Sequence, residues 1–88
     1  TAPLQPLYLL NSEFMTTQSK ALAERVAKEG GDDRAKRIDA AFLRTLGRTA
    51  DEAERKAAEE FLGESPAQAR WEQFCLVLVN TNEFVYVD

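Results

Sequence analysis

The chain has 88 residues, of which 44% are hydrophobic and 30% are charged, and its formal net charge is −4 at pH 7. This length predicts one domain, residues 1–88, and the negative charge argues against nucleic acid and anionic membranes as partners. With no histidine and one cysteine, the sequence excludes a Cys/His zinc site, a Ser-His-Asp triad, a Cys-His dyad and an intramolecular disulfide.

The first ten residues, 1–10, are strongly apolar and contain Pro3 and Pro6. Proline fits the first turn of a helix and is poorly tolerated beyond it. The segment is therefore predicted to form only a short helical turn. This turn is predicted to carry Leu4, Leu7, Tyr8 and Leu10.

A longer helix is predicted over residues 12–29, with Asn11 as its N-cap. Gly30 and Gly31 follow it, and glycine is the usual residue after a helix end. The predicted core stripe of this helix consists of Phe14, Ala21, Leu22 and Val26, with Gln18 and Arg25 near its edges.

The next predicted helix has Asp32 as its cap, runs to Leu46 and is closed by Gly47. Asp39 projects close to the apolar side, so we expect it to pair with an arginine of another helix. The predicted buried residues are Ala35, Ile38, Ala41, Phe42 and Leu46.

Four arginines cluster within roughly 80° on a helical wheel of this region, which gives a basic stripe. They are Arg34, Arg37, Arg44 and Arg48. One interpretation is a solvated face that is paired with neighbouring acids. The alternative is a docking strip for an acidic partner surface.

A further helix is predicted over residues 50–62, with Thr49 and Glu52 as a capping box and Gly63 as its stop. Its predicted buried residues are Ala53, Ala57, Ala58, Phe61 and Leu62.

The most apolar stretch of the chain follows Ser65, which is a good N-cap, and Pro66, which suits the first helical position. Trp71, Phe74, Cys75 and Leu78 then recur at i, i+3, i+4 and i+7, the spacing of one helix face. Leu76, Val77 and Val79 fall outside this face and are also apolar, so we expect a central helix that is covered on several sides. The run is too short to span a bilayer, which needs about 20 apolar residues.

The C-terminal residues 80–88, NTNEFVYVD, begin with a polar cluster that is typical of a helix end. We expect a last helical turn and then an extended tail that packs on the first segment. The predicted fold is therefore all-α, a single compact bundle of four main helices plus a short N-terminal helical segment.

No arrangement of residues indicates catalysis, since nearly all carboxylates fall on predicted outer helix faces, so we expect a domain that is not an enzyme. Cys75, in an apolar run, is expected to be a small buried hydrophobe. The better candidate is an exposed apolar patch that serves as a docking surface. Its residues are Leu4, Leu7, Tyr8, Phe84 and Tyr86.

Three blocks of the sequence resemble a planctomycete domain of unknown function (domain of unknown function 1553, PSD-type). Residues 1–14, TAPLQPLYLLNSEF, resemble its "TPLQAL-LLN-PF" segment, although Pro6 stands where alanine is expected. Residues 37–48, RIDAAFLRTLGR, resemble its "RI--AF--LGR" motif. Residues 71–88, WEQFCLVLVNTNEFVYVD, resemble its "W--L---LLN-NEF-YVD" terminus.

The resemblance implies a C-terminal domain of large planctomycete proteins that carry a cytochrome-c-like domain near their N-terminus. It further implies a location beyond the cytoplasmic membrane, either periplasmic or at the cell surface. Haem is expected elsewhere in the parent protein and no cofactor in this chain, because the chain has no Cys-x-x-Cys-His. The family has no established activity, so the resemblance supplies no catalytic residues.

Two functional hypotheses follow. The first is a non-enzymatic interaction or structural module that docks on the remainder of its parent polypeptide, since the chain begins with Thr and is expected to be excised from a longer protein. The second is a domain that binds an extracellular glycan, with Trp71, Tyr8 or Tyr86 as a stacking platform. Exposure of Trp71 to solvent separates the two. Neither the oligomeric state nor the identity of a ligand follows from the sequence.

Overall fold

The computed structural model describes the backbone of residues 4–87 and the side chains of residues 13–81. Within these residues the chain forms four α-helices and no strand, which confirms the all-α prediction. The helices are α1 (Leu4–Gly30), α2 (Arg34–Leu46), α3 (Glu52–Leu62) and α4 (Gln68–Val87).

Helix α1 is continuous from Leu4 to Gly30, so the predicted short N-terminal turn and the predicted new start at Asn11 are both wrong. Pro6 is the third residue of this helix. The backbone N–H groups of a first helical turn have no partner within the helix, so proline removes no hydrogen bond there. The N-terminal segment therefore extends α1 and is not a separate element.

Helix α2 is capped by Asp33, whose carboxylate accepts a hydrogen bond from the backbone N–H of Lys36 at 3.2 Å. The predicted cap, Asp32, lies one residue too early. The backbone N–H of Asp33 donates to the carbonyl of Gly30 at 3.1 Å, which fixes the second aspartate at the start of the helix. Gly47 ends α2 as predicted, in a left-handed conformation with φ 76°.

Helix α3 begins with a capping box formed by Asp51 and Glu54, two residues after the predicted pair Thr49 and Glu52. The backbone N–H of Glu54 donates to Asp51 at 2.8 Å, and the backbone N–H of Asp51 donates to Glu54 at 2.9 Å. Ala50 lies just before the N-cap Asp51 and is buried in the core cluster. It is therefore a core residue outside the helix, whereas it is predicted to lie at the start of the helix.

Helix α4 begins at Gln68, since the carbonyl of Ala67 accepts from the backbone N–H groups of Arg70 and Trp71. Ser65 is therefore not its N-cap, and the capping box predicted for that position is wrong. The first turn is organised by Ala67 instead of the Ser-Pro pair.

The end of α4 also differs from the prediction, because the helix continues to Val87 without an extended tail. Asn80 and Thr81 lie inside the helix and do not end it. The hydroxyl of Thr81 donates to the carbonyl of Val77 at 2.9 Å, one turn back, a bond that a threonine makes without leaving the helix.

The core is built around the predicted face of α4, and α4 packs against the other three helices. Trp71, Phe74, Cys75 and Leu78 are all buried, and Trp71 is only 2% exposed. The ring of Phe74 contacts the indole of Trp71 at 5.8 Å between centroids and the ring of Phe42 at 6.4 Å. The central-helix prediction is confirmed.

Elsewhere the predicted core stripes are partly wrong. Among the described side chains of α1 the buried ones are Met15, Ser19, Ala23 and Val26, so the buried face is rotated by about one position from the predicted one. Residues predicted to be buried that lie exposed are Phe14 (52%) and Ala21 on α1, with Ala53, Ala57 and Phe61 (41%) on α3. Within the part of the chain that the structure describes, no helix has the length and hydrophobicity needed to cross a membrane.

Candidate functional site

The predicted docking patch lies outside the residues whose side chains the structure describes. Leu4, Leu7 and Tyr8 belong to the first turns of α1, and Phe84 and Tyr86 belong to the last turns of α4. The patch therefore stays a prediction.

The predicted basic stripe does not form one continuous face. Arg48 follows Gly47 and so lies beyond the end of α2, where the helical wheel no longer applies. Its guanidinium makes two hydrogen bonds to Glu54, at 2.7 and 2.8 Å, and thereby joins the α2–α3 link to the start of α3.

Two other arginines of the stripe bind backbone carbonyls. Arg34 donates to the carbonyl of Gly63, and Arg37 donates to the carbonyl of Gly31. The guanidinium carbon of Arg37 also lies 5.2 Å from the ring centroid of Trp71, within the range of a cation–π interaction. Both arginines therefore hold loops and helices together at one end of the bundle.

A cleft of about 210 Å³ lies beside these two arginines. Two guanidinium groups and two carboxylates line it, so its charge sums to zero, and both arginines already have hydrogen-bond acceptors in the protein. This arrangement favours a structural role for the cleft. The lining residues are Asp32, Arg34, Arg37, Glu64, Ser65, Pro66 and Trp71.

A second cleft of about 340 Å³, which we call the α1–α2 groove, has a different character. Gln18, Ala21, Leu22 and Arg25 of α1 line it together with Arg44 of α2. Leu22 is half-buried and packs against the core, whereas Ala21 is exposed, so two of the lining side chains are apolar. Its charged lining residues are both arginines.

Arg44 pairs with Glu29 of α1 through hydrogen bonds from Nε and one terminal nitrogen. The hydrogen bonds from Arg44 lower the pKa of Glu29, and the nearby positive charge of Arg25 also lowers it. Arg25 itself makes no hydrogen bond or ion pair to any residue whose side chain the structure describes. The groove therefore carries one more positive charge than its neighbouring carboxylate neutralises.

An exposed aromatic residue continues the line of the groove. Phe14 precedes Gln18 by four residues, Ala21 by seven and Arg25 by eleven, so all four share one side of α1. Phe14 is predicted to lie in the core and Arg25 near its edge, and the structure leaves Phe14 exposed. The spacing of these residues places them on one side of α1. The sequence pattern does not show which side of the helix stays uncovered by the neighbouring helices.

Other exposed apolar side chains lack such a setting. Leu43 is 51% exposed and Val77 is 54% exposed. Phe61 is contacted by Arg70, whose guanidinium carbon lies 4.9 Å from the ring centroid.

The predicted partnership of Asp39 with an arginine of another helix is confirmed, since Arg55 of α3 donates to both of its carboxylate oxygens, at 3.0 and 3.2 Å.

The described residues contain no group of three or more potential metal ligands. Cys75 is fully buried, and burial raises the pKa of its thiol to about 12, so the reactive thiolate does not form near neutral pH. Cys75 acts as a core residue.

The sequence profile of the family described as PSD1, protein of unknown function (DUF1553), matches residues 1–62. The chain belongs to this family. The match to PSD1 runs from the first residue to the end of α3 and includes the first two of the three blocks of resemblance, whereas the third block lies in α4. No curated protein and no solved structure matches the chain.

Proposed function

We propose that this PSD1 domain is a non-enzymatic helical interaction module that docks on the remainder of a longer parent polypeptide. The observation that carries the proposal is the exposure of Phe14, at 52%, beside the α1–α2 groove. The same small domain buries Trp71, Phe74 and Phe42 in its core. Phe14 lies one helical turn before Gln18, which lines the groove, and an exposed aromatic side chain in such a place is typical of a binding surface.

The resemblance supplies the setting of this proposal. The parent is a large planctomycete protein with a cytochrome-c-like domain, and it is located in the periplasm or at the cell surface. Haem belongs to that other domain, and this chain contributes a surface on which part of the parent rests.

The glycan hypothesis loses one of its three candidate residues. Trp71 is 2% exposed and its ring packs against Phe74 and Arg37, so it is not accessible to a sugar ring. Tyr8 and Tyr86, the other two candidates, lie outside the described side chains.

An NMR titration tests the docking proposal. The 88-residue chain, labelled with ¹⁵N, is titrated with the flanking part of its parent polypeptide, expressed separately. We expect shifts that cluster on one surface. This surface is either the α1–α2 groove or the predicted docking patch, called the terminal patch below, which consists of Leu4, Leu7, Tyr8, Phe84 and Tyr86. An absence of shifts at millimolar concentration contradicts docking, and binding of soluble oligosaccharides by the same chain would then favour the glycan hypothesis.

A further inference from the structure

Two clefts of the described surface differ in how the charges that line them are satisfied. In the cleft beside Trp71, carboxylates and guanidiniums are equal in number and both arginines bind carbonyls. In the α1–α2 groove, Arg25 makes no ion pair to a described side chain and acts on Glu29 only through its nearby charge, while Arg44 pairs with the same carboxylate, so two guanidinium groups face one carboxylate. Only the second cleft therefore has positive charge available for a ligand.

We infer that the α1–α2 groove binds an acidic segment that carries an apolar anchor residue. This inference rests on the proposed docking function and names the surface and the chemistry of the partner. The anchor packs on Leu22 and Ala21 beside Phe14, and the acidic side chains face Arg25 and Arg44.

Charge complementarity selects this partner. The whole chain is acidic, with a net charge of −4, so its average field repels an acidic segment and attracts a basic one. A groove whose charged lining residues are both arginines is a local exception. Guanidinium groups suit this role because their planar donors match a carboxylate in a two-bond geometry.

The geometry also favours a helix or an extended segment over a small ligand. Phe14 and Arg25 are eleven residues apart on one helix, which at 1.5 Å per residue is roughly 16 Å. A partner that reaches both ends of this line needs several turns of helix or about five extended residues. The apolar side chains of such a partner would recur every three or four residues if it is helical.

The inference replaces the docking strip that the arginine pattern of α2 suggested. Of those four arginines, only Arg44 lines the groove, and the second positive charge comes from α1. Arg34, Arg37 and Arg48 are held by Gly63, Gly31 and Glu54. The acidic partner therefore meets a surface made by two helices.

The test uses two synthetic peptides of about 15 residues, a length at which helix formation is feasible. Both have leucine at every third or fourth position and a fluorescent label, and the remaining positions are mainly glutamate in one and mainly lysine in the other. Fluorescence anisotropy measures their binding to the 88-residue chain at low salt. We expect the glutamate peptide to bind through the groove, with an affinity that falls as salt is added.

Three variants locate the binding. Arg25→Glu reverses a charge in the groove and is expected to weaken binding of the glutamate peptide about tenfold. Lys20→Glu makes the same change of net charge on α1, but Lys20 is five residues from Arg25 and faces another side, so binding should change less than about twofold. Phe14→Ser should weaken binding of the glutamate peptide both at low salt and after salt is added, because the lost contact is apolar.

Equal losses in Arg25→Glu and Lys20→Glu would overturn the inference, as would a glutamate peptide that fails to bind. Circular dichroism melting checks that both variants stay folded, which we expect because both residues are exposed. If the flanking polypeptide shifts only the amides of the terminal patch and the glutamate peptide does not bind, the groove assignment falls while docking stands. If the glutamate peptide binds selectively and the flanking polypeptide does not bind, docking to the parent falls while the groove assignment stands.

Discussion

The guanidinium of Arg37 lies over the indole ring of Trp71, with 5.2 Å between the guanidinium carbon and the ring centroid. The same side chain donates a hydrogen bond to the carbonyl of Gly31. One arginine of α2 thus connects the α1–α2 turn to Trp71 of α4, which is 2% exposed.

Replacement of Arg37 by lysine tests this connection. Lysine keeps the positive charge but loses the planar group that stacks on the indole and donates through Nε, so we expect a loss of about 1 kcal/mol in the free energy of unfolding. Urea unfolding followed by tryptophan fluorescence measures it. The control is Lys36→Arg on the exposed side of α2, which should leave the midpoint unchanged. Equal midpoints for both variants would contradict the role given to Arg37.

Gly30 allows α1 and α2 to approach closely. A Cβ atom at this position would lie 2.7 Å from Cγ and 2.8 Å from the backbone nitrogen of Arg37. The nitrogen belongs to the helix backbone and cannot move aside cheaply, so Gly30→Ala is expected to cost roughly 2–3 kcal/mol of stability.

Gly47→Ala is the matched control for Gly30→Ala. No atom lies within 4 Å of a Cβ at Gly47, but its φ of 76° is unfavourable for alanine, which costs about 1 kcal/mol. Thermal melting compares the two. A larger loss for Gly47→Ala than for Gly30→Ala would show that close packing is not the reason for glycine at position 30.

Helix α4 offers a direct comparison of its buried and exposed sides. Trp71→Ala removes a side chain that is 2% exposed and contacts Phe74 and Arg37, and we expect it to cost about 3–5 kcal/mol. Val77→Ala removes a side chain that is 54% exposed and should change stability by less than about 0.5 kcal/mol. Denaturant unfolding followed by circular dichroism measures both, and similar losses would contradict the central position of α4.

Stability should fall in acid partly through Glu54. Hydrogen bonds from Arg48 and from the backbone N–H of Asp51 lower its pKa from the ordinary value of 4.5 to about 2. The folded protein therefore binds this proton less readily than the unfolded chain, so the stabilisation is present above pH 4.5 and is lost as the pH falls to about 2.

The variant Glu54→Gln should accordingly have a lower melting temperature at pH 7 and a weaker dependence of that temperature on pH between 4.5 and 2. Glu60→Gln, an exposed change near the end of the same helix, serves as the control. If the melting temperature of Glu54→Gln depended on pH as that of the wild type does, the Arg48–Glu54 pair and the capping box would not contribute to the stability of the protein.

The sequence predicts those elements of the fold whose signals are local and strong. The spacing of Trp71, Phe74, Cys75 and Leu78 identifies the buried face of α4, and Gly47 marks the end of α2 correctly. The N-cap of a helix is harder to predict when two adjacent residues can both serve as the cap. Asp32 and Asp33 are equivalent in the sequence, and the hydrogen bond from Asp33 to Gly30 decides between them.

Tertiary packing accounts for the larger errors. Phe14 has a large apolar side chain of the kind that is usually buried in a core. The buried face of α1 nevertheless passes through Met15 and Ser19, because that is the side on which α4 and α2 pack. The α1–α2 groove could not be predicted for the same reason. Arg25 and Arg44 are nineteen positions apart, and only the packing of α2 against α1 places them in one cleft.

Hydrogen exchange of the full-length parent protein, compared with that of the isolated 88-residue chain, tests the docking claim most directly. Because a docked segment slows the opening of the helix that it covers, we expect slower exchange in α1 between residues 14 and 25 in the full-length protein. The exposed side of α3 serves as an internal reference and should exchange equally in both. Identical exchange throughout α1 and α4 would contradict the account of this domain as an interaction module.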